Sequence, residues 1–240
     1  MRRAPTDFRH PFGPADLYPR KRMDGTSPLR LVPALADRAD DRELVERCVA
    51  GDRAAQRRLF DAQKRRVHAT LFRILGPNQH LDDLIQDVFL AVFRSLHAFR
   101  GESSLSTWID RCAVRAALGH MRGRRGHHLE LVPESVASDD PSAERRALAR
   151  EAAKRLYAVL EGLEPKQRLA FALHAIEGRS LQDVADLMNA TAVATKARVW
   201  RARRYVEKRA KADPVLADYM AAARGRPDAE PSVAQREERS

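Results

Sequence analysis

No proline falls between Pro77 and Pro133, and none between Pro165 and Pro214. A proline inside a helix removes a hydrogen bond and clashes with the preceding turn, so each gap leaves room for several unbroken helices. Six of the 13 prolines crowd at Pro5, Pro11, Pro14, Pro19, Pro28 and Pro33, which predicts a disordered, basic and Pro-rich extension over residues 1–40. Between the two gaps, PESVASDDPSAER has the Ser, Asp and Pro content of a flexible linker. The organisation expected is therefore a first domain at 41–127, a linker at 128–147, a second domain at 148–212 and a loosely ordered tail at 213–240. Strand-like alternation of any length and internal repeats are both absent, so the fold class is all-α, two helical domains joined by the linker.

Helices are expected at about 41–51, 53–75, 81–97 and 105–122. The third has the sharpest pattern. Leu81, Leu84, Ile85, Val88, Phe89, Val92, Phe93 and Leu96 recur at the spacing of one buried helix face. Asp82 and Asp83 fall in its first turn, where negative charge suits the helix dipole, and Asn78 is a candidate cap.

The formal net charge of +11 favours a polyanionic partner, nucleic acid or an anionic membrane surface. Membrane insertion is not expected, because no apolar stretch approaches the ~20 residues that span a bilayer. The basic N-terminus lacks a following apolar region, so no secretory signal is read and a cytoplasmic location follows. The two cysteines, Cys48 and Cys112, lie in apolar helical stripes and are expected to be buried and reduced. His127 and His128 sit in a basic, Gly-flanked stretch and are read as solvated rather than metal-binding. No metal site, cofactor site, activated nucleophile or phosphate-cradling glycine loop is found, so enzymatic function is not expected.

On the far side of the third helix lie Asp83, Gln86, Asp87, Leu90 and Arg94. Like charges at i, i+4 such as Asp83 and Asp87 cost an isolated helix about 0.2–0.5 kcal/mol. Spacing alone leaves two readings, a solvated face with a stray leucine or a docking surface for a basic partner. Next, FRGESSLSTWIDRCAVRAALGHMRGRRG joins a polar turn, with cap candidates Ser104 and Ser106, to a helix bearing Arg111, Arg115 and Arg122, with Arg124 and Arg125 beyond. A flexible polar loop beside a basic helix suits single-stranded DNA; Trp108 could stack on a base or belong to the core.

In the second domain, Pro165 suits a helix start, Gly178 a helix end, Ser180 the cap of a helix over 181–188, Asn189 a left-handed turn and Thr191 the cap of a final helix. That spacing reads as a helix-turn-helix. Its last helix carries Lys196, Arg198, Arg201, Arg203, Arg204, Lys208, Arg209 and Lys211 against the single carboxylate of Glu207, with Val199, Ala202 and Val206 as the inward stripe. Turn, caps and one-signed charge agree on DNA binding.

DDLIQDVFLAVFRSLHAFRG and the helix-turn-helix together resemble the sigma-70 family of RNA polymerase sigma factors. The resemblance covers roughly 41–126 and 148–211, and the short linker between them resembles the compact extracytoplasmic-function branch. It implies that Asp83, Gln86, Asp87, Val88, Phe89 and Leu90 grip the clamp helices of the polymerase's large catalytic subunit, with Asp87 where Glu is usual. It also implies that Arg100, Ser103, Ser104, Leu105, Trp108, Arg111, Arg115 and Arg122 serve melting and the minus-ten element. Leu105 stands where Phe is frequent, and Arg115 and Gly119 where Asn and Asp are. Thr191, Lys196, Ala197, Arg198, Trp200, Arg201 and Arg204 are implied to meet the minus-thirty-five element, Ala197 replacing a frequent Ser. The implied function is a non-catalytic specificity subunit that binds core RNA polymerase and promoter DNA and is restrained by an anti-sigma factor. The alternative is a free-standing helix-turn-helix regulator that binds an operator without polymerase; a nuclease is a third, weaker reading.

Overall fold

The computed structural model describes residues 35–123 and 141–218, with side chains from 40 and from 147 onward in the two stretches. Most of the expected extension, the stretch with Arg124, Arg125, His127 and His128, and the end of the tail lie outside the described residues. Among the described residues every regular element is a helix and none is a strand.

The first unit holds α1 (Leu35–Val49), α2 (Arg53–Leu75), α3 (Leu81–Ser95), a 3-10 turn at Leu96–Ala98, and α4 (Leu105–Gly123). Helix α1 starts inside the expected extension, because after Pro33 the run ALADRADDRE holds no breaker and several strong helix formers. Asp52 caps α2, its Oδ1 accepting the amides of Ala54 at 2.8 Å and Ala55 at 3.1 Å. Asn78 is not the cap of α3: His80 takes that position, and Asn78 instead locks the preceding turn, its Oδ1 accepting the His80 amide at 2.9 Å. Ser104 caps α4 as expected, its Oγ accepting the Thr107 amide at 3.2 Å. Helices α2, α3 and α4 close around Leu59, Leu71, Ile74, Val88, Val92, Trp108 and Ile109. Each such aliphatic side chain removed from water contributes about 1.5–3 kcal/mol.

The second unit holds α5 (Pro141–Glu161), α6 (Pro165–Phe171) running into a π turn at Ala172–Ile176, α7 (Leu181–Met188), α8 (Ala192–Ala210) and a last helical turn at 214–218. Helix α5 begins at Pro141, not at 148, so the linker is shorter than the composition suggested. Pro141 fits there because the first turn of a helix needs no proline amide. Four helix-turn-helix signals hold: Gly178 at φ 77° ends the first segment, Ser180 accepts the Asp183 amide at 3.1 Å, Asn189 is left-handed at φ 49°, and Thr191 accepts the Ala194 amide at 3.1 Å.

The two units are packed together. Leu169, Leu173, Val184, Leu187 and Val199 join the same apolar cluster as Ile109, Ala113 and Ala117, with α6 and α7 lying on α4. Polar contacts run alongside. The Asp110 carboxylate, fully buried, accepts Arg66 Nη2 from α2 at 2.8 Å and Arg179 Nη2 from the second unit at 2.8 Å. Arg179 also donates to Glu177 at 2.9 Å. The C-terminal carbonyls of α2, which no helical partner can satisfy, are met from the second unit: Tyr157 donates to Arg73 O at 3.2 Å, and Arg168 to Ile74 O at 3.0 Å and Leu75 O at 2.8 Å. Burial lowers the Arg168 pKa from its ordinary value, but a guanidinium remains charged and suits the negative end of the α2 dipole. Gly76, at φ 77°, lets the chain turn directly under the Tyr157 ring, where a Cβ would lie 2.5 Å from ring carbon.

Candidate functional site

Helix α3 presents one polar face because its apolar stripe is fully spent on the core. Asp82, Asp83, Gln86, Asp87 and Leu90 are exposed, Leu90 at 42%. Val88 and Phe89 are buried at 0% and 3%, so of the expected docking string these two support the surface from beneath rather than forming it. Sequence pattern could have separated them, since they belong to the same stripe as Leu84, Ile85 and Val92. Beside the acidic face runs an open groove of roughly 500 Å³ lined by Phe60, Lys64, Ile85, Phe89, Leu90 and Phe93. Phe60 reaches it from α2, its ring centroid 4.6 Å from that of Phe89 and Lys64 poised above it at 5.6 Å. This groove joins two helices and had no signature within either one.

The loop before α4 brings polar groups together. Arg100 is exposed near Glu102, at 3.9 Å, and Arg111 Nη1 donates to Ser103 Oγ at 3.2 Å. Asp41 from α1 accepts the Leu105 amide at 2.9 Å, tying the start of α4 to a helix 64 residues earlier. Leu105 departs from the role the resemblance implied for it, at 1% exposed, while Trp108 takes the core position that its place at a helix start also allowed: it is 0% exposed and packs edge-on against Phe99 with centroids 5.8 Å apart. An apolar side chain at the inner edge of a helix start gains more from the core than from water, so neither is presented to a base in this arrangement. Arg122 is exposed. Arg115 lines a narrow crevice with Val114 and Leu118 on one wall and Lys166, Leu187, Met188 and Arg198 of the second unit on the other.

Helix α8 divides cleanly. Thr195, Val199, Ala202, Val206 and Ala210 are buried, which confirms the inward stripe. Lys196, Trp200, Arg201 and Arg204 are exposed, with Thr191 at the cap; the Arg204 guanidinium lies over the Trp200 ring at 4.9 Å. Such a pair keeps an exposed indole in place while leaving the charge at the surface. Ala197 is half-buried, and Arg198 turns toward the crevice against α4 instead of the open face. Among the described residues no group of three or more His, Cys, Asp or Glu is placed to hold a metal ion, and no helix is long and apolar enough to cross a membrane.

An acidic, groove-flanked helix on one unit and a cationic helix-turn-helix on the other are the two contrasting surfaces of this helical protein. Residues 59–127 match the family model of sigma-70 region 2, and residues 153–206 that of sigma-70 region 4. The chain is 28% identical over 185 residues to the ECF RNA polymerase sigma-E factor of Haemophilus influenzae, covering 73% of this chain and 97% of that protein. It is 29% identical over 178 residues to the RNA polymerase sigma-H factor of Pseudomonas aeruginosa, covering 70% and 92%. The solved structure of CnrH in complex with the cytosolic domain of CnrY shares the fold, with a TM-score of 0.52 at 22% identity over 72% of this chain and 98% of that one. The chain belongs to the sigma-70 family of RNA polymerase sigma factors, in its extracytoplasmic-function branch.

Proposed function

We propose that this sigma factor divides its work among three surfaces. The face of Asp83, Gln86, Asp87 and Leu90, with the adjoining Phe60–Phe93 groove, docks on the clamp helices of the large catalytic subunit. The loop from Arg100 to Ser104, with Arg111, Arg115 and Arg122, engages the melted minus-ten element; Lys196, Trp200, Arg201 and Arg204 of α8 engage the duplex of the minus-thirty-five element, positioned by Thr191. The observation that carries this reading is that the acidic side chains of α3 face solvent, although nothing in the fold requires them to form a single patch. A cytoplasmic location and an anti-sigma partner accompany the reading, on the strength of the family.

Geometry adds a condition. Elements about 25 base pairs apart are separated by about 85 Å of B-DNA. In the packed arrangement α4 and α8 border one crevice. On this reading both elements are reached at once only after the two units part.

Asp87→Lys tests the docking role: co-purification with core polymerase should be lost while helical content is unchanged, and undiminished co-purification would remove the assignment. Gel-shift binding separates the sigma reading from the free-standing regulator. Sequence-specific retention should require core polymerase; tight specific binding by the protein alone would favour the regulator.

A further inference from the structure

One residue on the DNA-facing helix stands apart from the cations around it. Val193 is 81% exposed, more than Trp200 at 57% or any other large exposed hydrophobic residue described. It lies in the first turn of α8, two positions after the capping Thr191. Valine is a poorer helix former than alanine, and Ala192 and Ala194 stand on either side of it, so helix propensity does not account for the choice. Neither does the core, which is filled from α8 by Thr195, Val199, Ala202 and Val206.

Helical spacing puts Val193 in line with Ala197 and Trp200, at i+4 and i+7, between the exposed Lys196 and Arg201. This is an apolar line down the middle of a cationic face. A cationic face fits a polyanion, and the first turn of a recognition helix is the part that reaches base edges in the major groove. The small side chains of Ala192, Ala194 and Ala197 let that turn come close, which a short isopropyl group requires. The edge of a base pair offers one apolar group in the major groove, the 5-methyl of thymine.

We infer that Val193 is a specificity-determining residue that reads the 5-methyl group of one thymine in the upstream promoter element. The inference rests on the reading of α8 as the helix that enters the major groove. Full-length protein with core polymerase is used to select upstream duplexes from a randomised pool, and each thymine of the selected sequence is then replaced by uracil, which removes the methyl group alone. At one thymine the uracil duplex should bind about three- to fivefold more weakly, the effect of roughly one buried methyl-sized group. Val193→Ala should lose the same factor on the thymine duplex, become indifferent to uracil there, and keep its other base preferences. The exposed position makes loss of folding an unsuitable explanation, and an unchanged circular dichroism melt checks this. Equal binding to every uracil duplex, a selected sequence without thymine, or an unchanged preference in Val193→Ala overturns the inference, including the case in which the valine serves a protein partner instead. Arg201→Ala separates the two levels: if it weakens upstream binding while Val193→Ala has no effect, Val193 alone is misassigned; if neither has an effect, the role of α8 falls as well.

Discussion

Cys112 shows how a single side chain was legible in advance and how the fold then fixed its chemistry. Its place in the stripe Ile109, Cys112, Ala113, Ala116 marked it as buried, and it is 6% exposed, with Cys48 at 4%. Burial pushes the Cys112 thiol from an ordinary 9.0 up to about 12. Because the folded pKa is raised, the contribution to stability is complete below the unfolded value near 9.0 and is lost as pH rises from there toward 12. At pH 8 a thiol reagent should therefore leave both cysteines of the native protein unlabelled and modify both in guanidinium; prompt native labelling would contradict the packing. Asp110 shows the opposite situation. Its sequence neighbours are Ile109 and Arg111, and neither announces that the carboxylate is fully buried between Arg66 and Arg179, 44 and 69 residues away.

At the scale of the element, the caps of the helix-turn-helix and the apolar stripes are local and legible in the sequence, whereas Asn78, a cap candidate for α3, locks the preceding turn instead. Thr191, Ser180, Asn189 and Gly178 need only their own neighbours to act, since a cap or a left-handed residue satisfies backbone groups within one turn. Thr191→Ala should cost about 1 kcal/mol, seen as a fall of roughly 2–4 °C in Tm, and the loss should weaken upstream DNA binding by misplacing the first turn of α8. An unchanged melt would mean the Thr191 to Ala194 bond contributes nothing. Boundaries were less legible. Helix α1 starts at Leu35 and α5 at Pro141, because proline-rich composition marks where helices are interrupted and not where the next begins. The resemblance implies DNA contact for Leu105 and Trp108 from their position in a motif, although the sequence also allows the core for Trp108. Their burial depends on Phe99 and the helices around them, which the motif does not contain.

The whole molecule adds an interface that no segment describes. The apolar cluster continues from α4 into α6 and α7, while Arg179 and Arg168 carry charge from the second unit onto Asp110 and the end of α2. Removing one partner of a buried carboxylate leaves it under-compensated, at about 1–3 kcal/mol. Arg179→Ala should therefore shift the protein toward separated units: the radius of gyration from solution X-ray scattering should rise, and hydrogen exchange near Asp110 should quicken. Unchanged scattering and exchange would mean that the apolar contact alone holds the units together. On the proposed reading, in which the units part before both promoter elements are reached, the same variant should bind promoter DNA with core polymerase at least as tightly as the unaltered protein.

By itself the sequence determined the helical class, the order of the two units, the caps of the helix-turn-helix, the inward stripe of α8 and the outward acidic face of α3, because each depends on spacing within a few turns of one helix. The tertiary structure alone decided that Leu105 lies beneath the surface and that Trp108 takes the core rather than the open face, that Phe60 joins Phe93 in one groove, and that Asp110 and the end of α2 are held from the second unit. Those contacts join residues far apart in the chain. Their energies come from removing groups from water together, and no local pattern encodes which distant surfaces will meet.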